Sequence, residues 1–125
     1  MTSRLEIFFD SDVIISSLIS HKGAARLLLS SSAIHPNASN IQQQELSIVA
    51  KRLDLSLDKL NNLIKDKFRV LKIKIHNPEI KKRYLKYVLD PNDAHIVAGI
   101  AIAKPSFFVS YNLRHFKIDN IRIDF

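Results

Sequence analysis

The chain has 125 residues, a length that suits one domain around one core. It is 46% hydrophobic and contains no cysteine, which excludes a disordered chain, a disulfide framework and a thiolate zinc site. Nineteen Lys and Arg against twelve Asp and Glu leave a net charge of +7, and such an excess favours an anionic partner, of which nucleic acid is the commonest.

The first predicted element is a strand over 5–9, "LEIFF", whose nearly continuous apolar run fits a strand buried on both faces. A short helix over 11–19 follows, with Asp or Ser as its N-cap. A second helix is expected over 24–31, after Gly23. Residues 32–39 read as a strand or loop with turn chemistry at Pro36-Asn37. A helix over 40–53 has Asn40 as its expected cap, and another over 56–68 is opened by Ser56 with Asp58 in its first turn. "RVLKIKI" over 69–75 alternates and is β-branched, which predicts a strand. Residues 78–89 form a basic helix with Pro78 in its first turn, and 91–104 an apolar helix. "SFFVS" over 106–110 is a buried strand, and "IRIDF" over 121–125 a short edge strand.

Strands alternating with helices predict a single α/β domain over 1–125, with a mainly parallel sheet covered by helices on both faces. Ligands of such sheets bind at the carboxyl ends of the strands, near the point where strand order reverses. No apolar run approaches the roughly 18 residues of a membrane span. The first residues lack the apolar region and cleavage site of a signal peptide. The expectation is a cytoplasmic protein with no membrane partner.

The question is then which acids reach the strand-end edge. Asp10 ends the first strand and Asp12 is two residues on; a helix has one N-cap, so capping explains one of them more easily than both. On a helical wheel of 40–53, Ile41, Ile48 and Val49 flank Glu45, with Leu46 and Leu53 extending the arc. A carboxylate there needs a partner, either a metal or a cation such as Arg52. Asp90 is placed to cap the apolar helix behind Pro91, with Asp93 as its third residue. Capping accounts for both, yet the same position projects Asp93 from the strand-end edge. Ser110 and Asn112 follow the last buried strand to that edge. The five histidines are scattered without ligand spacing, and His95 reads as a surface or half-buried residue.

Taken together, "FFDSDVIISSL", "NIQQQEL", "DPNDAHIVAGIA" and "FFVSYNLRHF" resemble the PIN-domain family in order and spacing over essentially the whole chain. The resemblance implies a three-layer α/β/α sandwich. It also implies Mg²⁺- or Mn²⁺-dependent cleavage of RNA, often by the toxin of a toxin–antitoxin pair. An antitoxin protein and a homodimer are the further partners it suggests. Its core acids fall on Asp10, Glu45 and Asp93, with Asn112, Asp90 and Asp12 as further candidate metal ligands and Ser110 in a supporting position. Asn112 stands where many members carry a fourth acid. That departure keeps open a second reading, a non-catalytic RNA-binding or interaction module with a degraded metal site.

The chemistry of the residues points the same way. Phosphodiester hydrolysis needs a polarised phosphoryl oxygen, an activated water and a stabilised leaving oxygen, and one or two Mg²⁺ ions supply all three. Oxygen ligands suit Mg²⁺, which keeps several waters. Lys81, Lys82, Arg83 and Lys86 on one helix, with Arg114 near the acids, are candidate phosphate-backbone contacts. They also fit a merely solvated basic face. A haloacid-dehalogenase-type phosphatase would share "FFDSDV" but needs a longer chain, and a receiver domain needs a phosphoacceptor Asp that "RVLKIKIHN" does not offer.

Overall fold

The computed structural model describes residues 4–125. Four strands, β1 (Leu5–Phe9), β2 (Ile34–Ser39), β3 (Arg69–Leu71) and β4 (Phe107–Val109), form a sheet in the order β3-β2-β1-β4. All three pairings are parallel, with Ile7 opposite Phe107 and Leu5 opposite Ile34. The chain steps outward from β1 to β2 to β3, then returns to place β4 on the other side of β1. The reversal of strand order therefore lies between β1 and β4.

Seven helices cover the sheet among the described residues: α1 (Ser11–Ile19), α2 (Ala24–Leu29), α3 (Asn40–Arg52), α4 (Leu57–Lys67), α5 (Asn77–Tyr84), α6 (Ala94–Ala103) and α7 (Ile118–Asp124). Alternation along β1 sorts them into two layers. Ile7 and Phe9 pack with Val13, Ile14, Leu29, Leu46, Leu60 and Ile64 from α1 to α4. Phe8 points the other way, into a second core with Ile80, Ile96, Val97, Ile100 and Ile121 from α5 to α7. The result is the expected three-layer arrangement. No described helix is long and apolar enough to cross a membrane.

Local sequence explains most of the boundaries. Asp10 is the N-cap of α1, its carboxylate accepting from the Ser11 N–H at 2.8 Å. Ser39, not Asn40, caps α3, in a reciprocal capping box with Gln42. The Asn40 side chain instead bonds both the N–H and the C=O of Ile73. That side chain takes up the backbone groups of Ile73 in place of a neighbouring strand; β3 stops at Leu71, and 72–75 of the expected strand are irregular. The basic helix over 78–89 ends at Tyr84, continues as a 3-10 turn over 85–87, and is extended by Val88, which bridges Phe116.

Residues 121–125 are not an edge strand. The chain winds into α7, which sets Ile118 and Ile121, three residues apart, against the second core. The Phe125 ring packs at a tilt against Tyr84 and Tyr87, and the Tyr87 hydroxyl donates to Asp124. With no strand beyond it among the described residues, β4 is an edge of the sheet. α6 lies close on β1 because residue 99 is glycine: a Cβ there would stand 2.4 Å from the Phe8 ring.

Candidate active site

The carboxyl ends of β1 and β4 meet at the reversal point. The Asp10 N–H donates to the Val109 carbonyl at 2.9 Å, and the Ser110 hydroxyl donates to Asp10 Oδ2 at 2.6 Å. Asp10 thus has one oxygen on its own helix and the other on the neighbouring strand end. Burial pushes its carboxyl above the ordinary range, and the negative charge of Glu45 adds to that. The hydrogen bonds from Ser110 and Ser11, with His95 nearby, oppose the rise without cancelling it.

Asp12 is pushed up as well, first by burial and then by the charge of Asp10. Its Oδ2 accepts from the Asn112 side-chain N–H at 2.7 Å, whereas its Oδ1 is buried without a hydrogen-bond partner among the described residues. Asn112 therefore uses its amide as a donor to an acid. An aspartate at 112 would face Asp12 with like charge.

Asp90 and Asp93 divide the two roles considered for them. Asp90 caps the 3-10 turn over 91–93, its Oδ1 accepting from the Asn92 N–H at 3.0 Å. Asp93 opens α6 but makes no capping hydrogen bond, which leaves its carboxylate uncommitted. Burial, then the charges of Asp10 and Asp90, raise its pKa.

Glu45 reaches the same region from α3. The buried face of that helix is Gln42, Leu46 and Ala50, while Ile48 and Leu53 are exposed, so Glu45 stands at the border of the face rather than within it. Its partner is His95 of α6, not Arg52: His95 Nε2 lies 3.1 Å from Glu45 Oε2. Burial disfavours the Glu45 carboxylate, but the hydrogen bond and charge of His95 outweigh it and hold the carboxyl below its usual value.

His95 was not legible as a site residue from motif spacing. It is only 8% exposed, and its Nδ1 is buried without a partner among the described residues. The available signal was a pair of misfits, one acid at the lip of an apolar face and one imidazole inside an apolar helix. Two such groups are cheapest when they face each other. Gln42 is a second unforeseen participant, fully buried, donating to the Phe9 carbonyl at 2.7 Å beneath Asp10.

The basic residues are less uniform than their spacing suggests. Arg83 is bonded to Glu79 at 2.8 Å, and Lys86 lies 3.6 Å from Asp124 and over the Tyr87 ring. Lys82 and Arg114 are exposed without an ion-pair partner among the described residues. Lys81 lines a depression shared with Glu45 and His95.

The chain matches no protein-family model and no curated protein. Its fold is nevertheless known. It is similar to that of a solved toxin–antitoxin complex from Klebsiella pneumoniae, with a TM-score of 0.64 over 87% of this chain and 88% of that one. At 18% sequence identity this likeness establishes the fold and nothing finer.

A fit to a divalent ion can be judged from the donors. They are hard oxygens, which suit Mg²⁺ or Mn²⁺. The charge of Asp10 adds to the burial that raises the Asp93 carboxyl, so a cation between them would relieve that repulsion, and Asp12 Oδ1 is buried without a partner among the described residues. Among the described residues, however, no three of the acids and imidazoles are drawn together tightly enough to hold an ion by themselves. Mg²⁺ does not require that, since it is usually held by one or two carboxylates, waters and substrate phosphate oxygens.

Proposed function

We propose that the chain is a metal-dependent endoribonuclease, acting as the toxin of a toxin–antitoxin pair with an antitoxin protein as its partner. The observation that carries this reading is the Asp10–Ser110 junction at the reversal of strand order, around which Asp12, Glu45 and Asp93 gather. The four-block resemblance to PIN domains and the shared fold with a toxin–antitoxin complex support it.

In this reading Asp10 and Asp93 hold Mg²⁺ or Mn²⁺, with Glu45 alongside. The ion would polarise the phosphoryl oxygen and acidify a bound water. The chain's own groups do the rest. Ser110 fixes the Asp10 carboxylate, His95 fixes Glu45, and Lys82 and Arg114 attract the phosphate backbone.

One observation favours the rival, a non-catalytic module: Asn112 replaces an acid and is engaged with Asp12. Manganese decides between them. The purified parent should cleave labelled RNA only with Mn²⁺ or Mg²⁺ and show a higher Tm with Mn²⁺, and both responses should vanish in Asp93→Asn with the fold retained. A parent that neither cleaves RNA nor gains Tm with Mn²⁺ would establish the module instead.

A further inference from the structure

The acid cluster has a neighbour that phosphodiester chemistry leaves unused. Between α3, α5 and the turn that opens α6 lies a depression of about 330 Å³. Its walls include Glu45 and His95, so it opens directly beside the acids. Ile41 and Ile80 contribute apolar lining, and Asn77 and Asn92 line it as well. The side-chain amides of both asparagines are without hydrogen-bond partners among the described residues. Both residues are exposed, so their amides are open to a guest. Lys81 stands at its edge.

We infer that this depression is a base-reading subsite, which receives one unpaired nucleobase next to the phosphate at the acid cluster. The inference rests on the ribonuclease reading and extends it to sequence preference. A nucleobase has a flat apolar face and a polar edge of donors and acceptors. Here, two isoleucines share the lining with two amides, each offering both a donor and an acceptor. Single-stranded RNA is read in this way, by bases splayed out of the stack and bonded along their edges. The volume is at the small end of the roughly 300–1,000 Å³ of small-molecule pockets, which suits one ring system rather than a run of nucleotides. Lys81 at the edge favours a guest attached to phosphate and disfavours the other guest that Glu45 could attract, a basic side chain of a partner protein.

Amides match the edge of adenine especially well, since its N6 donates and its N7 accepts. Asn77 and Asn92 are therefore specificity-determining residues, and adenine is the base they fit.

The test has two arms. In the first, oligoribonucleotides differing at one position beside the cut are compared in single-turnover cleavage. The parent should prefer adenine there, by about tenfold over the other bases, and Asn77→Ala/Asn92→Ala should cut all four alike. In the second, adenosine 5′-monophosphate is titrated into ¹⁵N-labelled protein. It should shift the Asn77 and Asn92 side-chain amide signals, whereas ribose 5-phosphate, which lacks the base, should leave them in place. Cleavage by parent and double variant with the same base preference would overturn the subsite while leaving the nuclease standing. A parent that cuts nothing but shows the amide shifts would sink the nuclease and keep the base pocket. Amide signals that move with N-acetylarginine amide and not with the nucleotide would overturn the inference in favour of a protein guest.

Discussion

Glu6 and Glu45 each hold a histidine, one toward each end of strand β1. Near the amino end, Glu6 binds His35 Nδ1 at 2.8 Å and the buried Asn37 amide at 2.8 Å, with Arg69 adding positive charge. Near the carboxyl end, Glu45 binds His95 at 3.1 Å, but Asp10 and its acidic neighbours stand around the pair. In both glutamates burial resists ionisation and the partners prevail, leaving each carboxyl below its ordinary pKa. What differs is the surplus. The Glu6 group is balanced within the protein, whereas the acids around Glu45 outnumber the cations, and Asp10, Asp12 and Asp93 are all pushed up. An acid–histidine pair is thus no mark of a site by itself; the excess of acid is what sets the carboxyl end apart.

The sharpest way to break this comparison is cleavage. Glu45→Gln should lower metal-dependent RNA cleavage by more than the roughly 10–100-fold typical of groups standing behind metal ligands. Glu6→Gln should leave the single-turnover rate on the same RNA unchanged. Equal losses would remove the distinction between the two ends.

Stability should move in opposite directions. Glu6→Ala leaves a donor of the fully buried Asn37 without its partner and should cost about 1–3 kcal/mol in guanidinium unfolding. Asp93→Asn removes a half-exposed charge from among like charges. Solvent screens that repulsion, so the gain should be only some tenths to about 1 kcal/mol. Its sign with pH follows from linkage. Asp93 binds its proton more tightly when folded, so the parent loses stability as pH rises from the ordinary aspartate value of 3.8 through the raised folded value. The advantage of Asp93→Asn should be full at neutral pH and vanish below 3.8. Glu6 behaves inversely: its contribution is present above 4.5 and lost as pH falls through its lowered folded value. An advantage of Asp93→Asn that grows on acidification would contradict the repulsion at the carboxyl end.

The smallest effect concerns the basic surface around the surplus acids. RNA affinity should fall with salt, and Lys82→Ala or Arg114→Ala should each reduce the log–log slope by about 0.7, the release of one counterion from a single strand. Arg83→Ala, whose cation is already bonded to Glu79, should change the slope less. Slopes unaltered by all three would place RNA elsewhere on the chain.

Much of this arrangement was legible in the sequence because it is local. The apolar run at 5–9 and the acid that ends it gave both β1 and Asp10, and the alternation of elements gave the parallel sheet. The failures were tertiary. "IRIDF" alternates like a strand, but Ile118 and Ile121 have a better burial three residues apart on a helix, with Tyr87 and Tyr84 to hold its end. "KIKI" over 72–75 has the pattern of a strand, yet the distant Asn40 side chain took up the backbone groups of Ile73. His95 found Glu45 across fifty residues, a pairing that no local spacing encodes.

Gly99 sets one dimension of the candidate site from inside the core. It lies six residues beyond Asp93, roughly 9 Å along α6, where the helix rests against the Phe8 ring. Phe8 is two residues from Asp10 on the strand below. The contact therefore sets how closely the helix that Asp93 opens approaches the strand that ends at Asp10. A single methyl group at 99 would tilt the helix and swing Asp93 at its far end. Sequence drift at this hidden position would reach the acids as surely as drift among the acids themselves.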